Sequence, residues 1–170
     1  MLEKIQKINI PQRIWLFIVG TTKPNTLTQI SVAIGLLVWL YFFSWHLLTF
    51  VTLSLMDTLD KATEVEAAFN RIGGNYQLLL PGNITTYLWI HSLVQLIVFG
   101  ISLTGLILIW RRKKLGFILY IAGNIATYAV TFLILNMAYM WNELSFVDFV
   151  LMLIITLYFA TGYWLFYKGK

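Results

Sequence analysis

The sequence predicts an all-α integral membrane protein: a four-helix bundle with both termini cytoplasmic and a short amphipathic helix in its first outer loop. Three observations lead there. Only 11% of the 170 residues are charged, whereas a soluble domain carries roughly a quarter. Four stretches, about residues 30–56, 84–110, 115–140 and 146–167, contain no Lys, Arg or Glu. Each reaches the roughly 20 helical residues that a hydrocarbon core of about 30 Å requires. The third observation is where the cations lie, because Lys and Arg accumulate in cytoplasmic loops.

The order of the elements follows from these runs. Residues 1–26 form a cytoplasmic amphipathic segment, and residues 27–170 form the four-span domain. The first segment mixes Lys4, Lys7 and Arg13 with Leu2, Ile5, Ile8, Ile14 and Trp15, a pattern suited to lying along the inner leaflet. Its apolar run at 14–19 is too short for the core of a cleaved signal. Thr26 and Gln29 then have the spacing of a capping box at the start of span one.

The outer loop, residues 57–83, carries Leu59, Ala62, Val65, Phe69 and Ile72 at three- and four-residue steps. That is the helical period, and it predicts a helix over about 58–72 that stops at Gly73-Gly74. "PGN" at 81–83 turns the chain into span two; its sequon, Asn83-Ile84-Thr85, reads as a helix cap. "WNELS" at 141–145 joins spans three and four. Ser145 and Asp148 have the spacing of a second capping box, a reading preferred to a proton-relay role for Asp148 in the bilayer.

Charge orients the whole. Lys4, Lys7, Arg13 and Lys23 precede span one, Arg111, Arg112, Lys113 and Lys114 separate spans two and three, and Lys168 and Lys170 follow span four. The alternate segments hold only Lys61 and Arg71. All the rich segments fall on one side of a four-span chain, so the net charge of +5 marks topology and anionic lipid headgroups, with no nucleic-acid partner. No glycine-rich loop accompanies the basic turn, which argues against a phosphate site. Trp110, Tyr163, Trp164 and Tyr167 fall at inner ends and Tyr87, Trp89, Tyr139 and Trp141 at outer ends, as interfacial aromatics do. Trp39 sits nearer the middle, where packing is its expected role.

Within the spans, His91, Gln95, Ser102 and Gly105 cluster on one side of helix two at 100° per residue. Gly35, Trp39, Phe42, His46 and Phe50 share a face of helix one, and Gly116, Tyr120, Gly123 and Thr127 a face of helix three. Small and polar residues of this kind bring membrane helices together, so these faces are the expected bundle core. His46 and His91 lie about 4–5 Å and about 9 Å outside their span midpoints at 1.5 Å per residue. At such similar depths the pair is the candidate for a haem b site, although Trp39, Phe42, Trp45 and Phe50 crowd His46. Two histidines fall short of a zinc site. With no cysteine and no acid–base–nucleophile set, nothing points to an enzyme.

"IWRRKKLGFILYIAGNI", residues 109–125, resembles the middle hairpin of small uncharacterised four-span inner-membrane proteins of Bacteroidetes-type bacteria. The matching features are the basic turn Arg111–Lys114, the pair Gly116-Phe117 and the step Gly123-Asn124. The resemblance covers about a tenth of the chain; it implies topology and a bacterial inner membrane, and no activity. The expected function is therefore a non-enzymatic membrane module: an oligomeric scaffold, an accessory subunit, or a small pore-forming or sensor protein. Such a protein works through copies of itself or a membrane partner. A haem b redox subunit is the alternative. A small transporter ranks third, because none of the spans has the proline that helps break a transport helix.

Overall fold

The structure, a computed structural model, describes residues 24–56, 63–64, 66–68, 71, 84–135 and 145–168. Every regular element among the described residues is helical. The long helices are α1 (Thr26–Ser54), α2 (Ile84–Trp110), α3 (Lys114–Ile134) and α4 (Ser145–Lys168). Three of them, α1, α2 and α3, are long and apolar enough to cross a membrane, and α4 contributes the apolar stretch Val147–Tyr163. Helices this apolar on every side suit a membrane or the core of a large protein. They support a membrane protein with transmembrane helices.

Helix α1 starts earlier than the capping box predicts. Asn25, in an extended conformation (φ −67°, ψ 161°), is the N-cap, and its side chain accepts from the Thr28 amide. Gln29 Nε2 donates to the Pro24 carbonyl at 2.7 Å, so Gln29 reaches back past the cap and does not pair with Thr26. Helix α2 has the expected bounds. Ser145 is the first helical residue of α4, and Asp148 stands in its first turn. Of the outer loop, Thr63, Glu64, Glu66–Ala68 and Arg71 are helical. The apolar stripe of Leu59, Val65 and Phe69, the Gly73-Gly74 stop, Asn83, the "WNE" turn and the N-terminal segment lie outside the described residues.

Each helix packs on its neighbours in the chain, and α4 returns to α1. The common core holds Val32 and Phe42 from α1, and Phe99, Leu106 and Ile109 from α2. Phe117 and Tyr120 come from α3, and Met152, Ile155 and Phe159 from α4. Gly35 admits this core: a β-carbon there would meet the Leu106 side chain at 2.6 Å and Phe159 at 3.1 Å. A smaller cluster of Ile84, Leu88 and Leu135 closes the far end of α2 and α3. Between Val38, Trp39, Phe42, Phe99, Ser102, Tyr120, Asn124 and Met152 no space admits a water molecule.

The tightest contact joins α2 to α3. A β-carbon on Gly105 would stand 2.6 Å from the Tyr120 amide nitrogen and 2.9 Å from the Gly116 carbonyl oxygen. One on Gly116 would stand 2.5 Å from the Ile109 nitrogen and 2.7 Å from the Gly105 oxygen. These are backbone atoms, which cannot swing aside as a side chain can. The glycines therefore set the helix separation, the role small residues play between membrane helices.

Candidate functional site: a polar seam and a basic turn

Where α2 meets α3 beyond the glycines, their facing polar residues bond to one another. Gln95 is fully buried, Ser102 and His91 nearly so. Gln95 Nε2 donates to the Thr127 carbonyl at 2.9 Å and to Thr131 Oγ1 at 3.1 Å. Thr131 Oγ1 donates in turn to the Thr127 carbonyl at 2.9 Å. Gln95 Nε2 also lies 3.1 Å from His91 Nε2. His91 Nε2 lies 3.0 Å from Thr131 Oγ1, and which of the two donates is set by the imidazole tautomer. Ser102 Oγ satisfies itself on the Val98 carbonyl of its own helix and packs against Gly123.

His46 joins this cluster from α1. Its ring meets that of His91 edge to face, with centroids 5.2 Å apart and planes at 70°. On another side it stacks on Phe99 at 5.6 Å. These are ordinary aromatic contact distances. A bis-histidine haem instead needs a porphyrin plane between the rings and an open metal–nitrogen bond of about 2 Å on each side. The rings touch, and His91 Nε2 is already in contact with Thr131 Oγ1 and Gln95 Nε2. The pair as it stands does not fit a haem. Among the described residues no group of three or more His, Cys, Asp or Glu gathers to hold a metal ion. The cluster is incompletely satisfied nonetheless: His46 Nδ1, Ser92 Oγ and Gln95 Oε1 are buried without a hydrogen-bond partner.

The basic turn is built by the end of α2. Arg112 N donates to the Ile109 carbonyl and Lys113 N to that of Leu108, each at 2.8 Å. Those two bonds are the Schellman ending, which requires a left-handed residue at the position Arg112 fills. Arg112 has φ 56°, where glycine is usual and an L side chain costs about 1–2 kcal/mol. Arg112, Lys113 and Lys114 are exposed and Arg111 partly so. Cations there also face the negative end of the α2 dipole.

Four features escape the face arithmetic. Asn124, 2% exposed, lies off the Gly123 line and donates from Nδ2 to Thr156 Oγ1 of α4 at 3.1 Å. Trp39 is more than packing: its indole N–H donates to the Phe99 carbonyl at 2.8 Å. Tyr128 donates to the Phe149 carbonyl at 2.8 Å. Tyr41 donates to Asp148 Oδ1 at 3.1 Å, which ties the carboxylate in the first turn of α4 to α1. The signal for these is polarity alone, with no period to pair it. No family model matches the chain, and no curated protein or solved structure matches it either.

Proposed function

We propose that this chain is a non-enzymatic integral membrane module, an oligomeric scaffold or accessory subunit of a bacterial inner membrane. Its four helices form one up-and-down bundle with both termini cytoplasmic. The basic turn anchors that bundle to anionic headgroups of the inner leaflet. One observation carries the reading: the polar groups between α2 and α3 turn inward and bond to one another, while large apolar side chains cover most of the outside. Leu37 of α1 is 70% exposed and Leu133 of α3 69%, on helices that otherwise bury only one side.

A pore of this protein would run between copies, because the centre of a single bundle is packed. The haem alternative has no gap between His46 and His91 to support it. What remains for the protein to act with is its apolar flank, toward a second copy or another membrane protein. Single-cysteine chains carrying Leu37→Cys or Leu133→Cys, in liposomes at low protein-to-lipid ratio, test this. Disulfide dimers should form from one flank and not the other, and compete with unlabelled protein. A monodisperse monomer in mild detergents and nanodiscs, with no co-purifying partner, would refute it.

A further inference from the structure

Asp148 is bonded to the middle of α1. Tyr41, which donates to it, follows the first residue of α1 by 15 positions and precedes the last by 13. At 1.5 Å per residue both ends of α1 are about 20 Å away. The reach of a tyrosine side chain plus one hydrogen bond is shorter than the roughly 15 Å half-thickness of a hydrocarbon core. The register of α4 is also fixed twice. Ser31 Oγ lies 2.6 Å from Tyr158 OH, ten residues back on α1 and ten forward on α4 from the Tyr41–Asp148 bond. The first turn of α4 is held again by Tyr128 of α3. Helix α4 therefore begins well inside the span of α1, and its acid is carried inward with it.

Among the described residues no cation pairs with that acid. The sequence has no Lys or Arg between Lys23 and Lys61, between Arg71 and Arg111, or between Lys114 and Lys168. Among the described residues the titratable group bonded to Asp148 is Tyr41 of α1, while Tyr128 of α3 donates to the neighbouring Phe149 carbonyl. His46, five positions beyond Tyr41, is turned to His91 on α2. Tyr41 is 50% exposed and Asp148 half-buried, so the pair sits on the open seam between α1 and α4. An isolated carboxylate in hydrocarbon is costly, and ionisable groups kept at such depth serve ion or proton pathways by default.

We propose that Asp148 is an intramembrane proton-binding site, with Tyr41 donating to Oδ1 and the bound proton on Oδ2. Taking up one proton turns the carboxylate into a neutral acid that the seam accommodates. Releasing it to water leaves a bare anion that opens the contact between α1 and α4. The proposal takes from the functional reading only that α1 crosses the bilayer.

The test uses the full chain in sealed phosphatidylcholine–phosphatidylglycerol vesicles. Dicyclohexylcarbodiimide, which dissolves in the hydrocarbon and needs the protonated acid, is compared with a charged, water-soluble carbodiimide. The apolar reagent should leave an N-acylurea on the peptide carrying Asp148, read by mass spectrometry, and the charged reagent should not. Asp148→Asn should lose the adduct, Asp148→Glu keep it, and Tyr41→Phe gain it faster, since the hydroxyl no longer shields Oδ1. Equal labelling by the charged reagent would place the acid in water and overturn the proposal, as would no labelling of wild type by either reagent. Flotation of the vesicles at alkaline pH separates the two readings: protein that fails to float refutes the membrane assignment itself.

Discussion

Helices α2 and α3 meet backbone to backbone, whereas α1 and α4 meet through the tips of long side chains. The first seam is set by Gly105 and Gly116 and filled by buried His91 and Gln95 with half-buried Thr131. The second has Phe159 against Gly35 inside and, near the outside, Ser31 with Tyr158 and Tyr41 with Asp148. A glycine contact has one geometry, because neither backbone has a rotamer to change. A seam of hydroxyls and a carboxyl spaced ten residues apart can part and close at modest cost. Interhelical hydrogen bonds in membranes average about 0.6 kcal/mol, with a maximum near 1.7. The hairpin of α2 and α3 is therefore the fixed body, and α1 against α4 is its adjustable side.

The largest effect should come from the glycines. Gly105→Ala or Gly116→Ala places a methyl group against backbone atoms, an overpacking of roughly 1–3 kcal/mol. Gly100 has nothing within 4 Å of its would-be β-carbon, so Gly100→Ala should gain up to about 1 kcal/mol of helix propensity. Thermal unfolding in one detergent should rank wild type between the two kinds of variant. If all three alanines behaved alike, the close seam would be wrong.

A middle effect is expected at Gln95. Gln95→Leu keeps the volume and removes the donor shared by Thr127 and Thr131, but also removes the unpaired Oε1. The net loss should be about 1 kcal/mol, read by the same unfolding measurement, and a loss as large as that of Gly116→Ala would make the polar cluster the principal fastener. The smallest effect belongs to the other seam. Ser31→Ala deletes one exposed bond and should change stability by no more than about 0.5 kcal/mol. A larger loss would mean that α1 and α4 are as firmly joined as α2 and α3.

Much of the close seam is legible in the sequence, and little of the open one. Gly105, Gly116, Gly123, His91 and Gln95 recur on helical faces, so 100° arithmetic alone brings them together. Residues 84–110 read as a helix because charge and turn residues stop on both sides. The cap of α1 stands one residue earlier than its sequence pattern suggests, since Asn25 and Thr26 are both good caps and only backbone angles choose between them. Asp148 reads as a cap in the sequence because its distance from Ser145 is a local fact, whereas its partner Tyr41 is 107 residues away. How far one helix slides along another leaves no mark in either helix's own periodicity. The contacts of His91 Nε2 are likewise a property of Thr131 and Gln95 together, and the 5.2 Å between the two histidine rings is invisible to depth alone.

The central claim is that the basic turn faces the cytoplasm, and cysteine accessibility tests it most directly. The chain has no cysteine of its own, and both Ala67 and Lys113 are exposed. In intact cells, a membrane-impermeant maleimide should label Ala67→Cys from outside and reach Lys113→Cys only after permeabilisation. Labelling of Lys113→Cys in intact cells, with Ala67→Cys protected, would invert the topology and contradict the account.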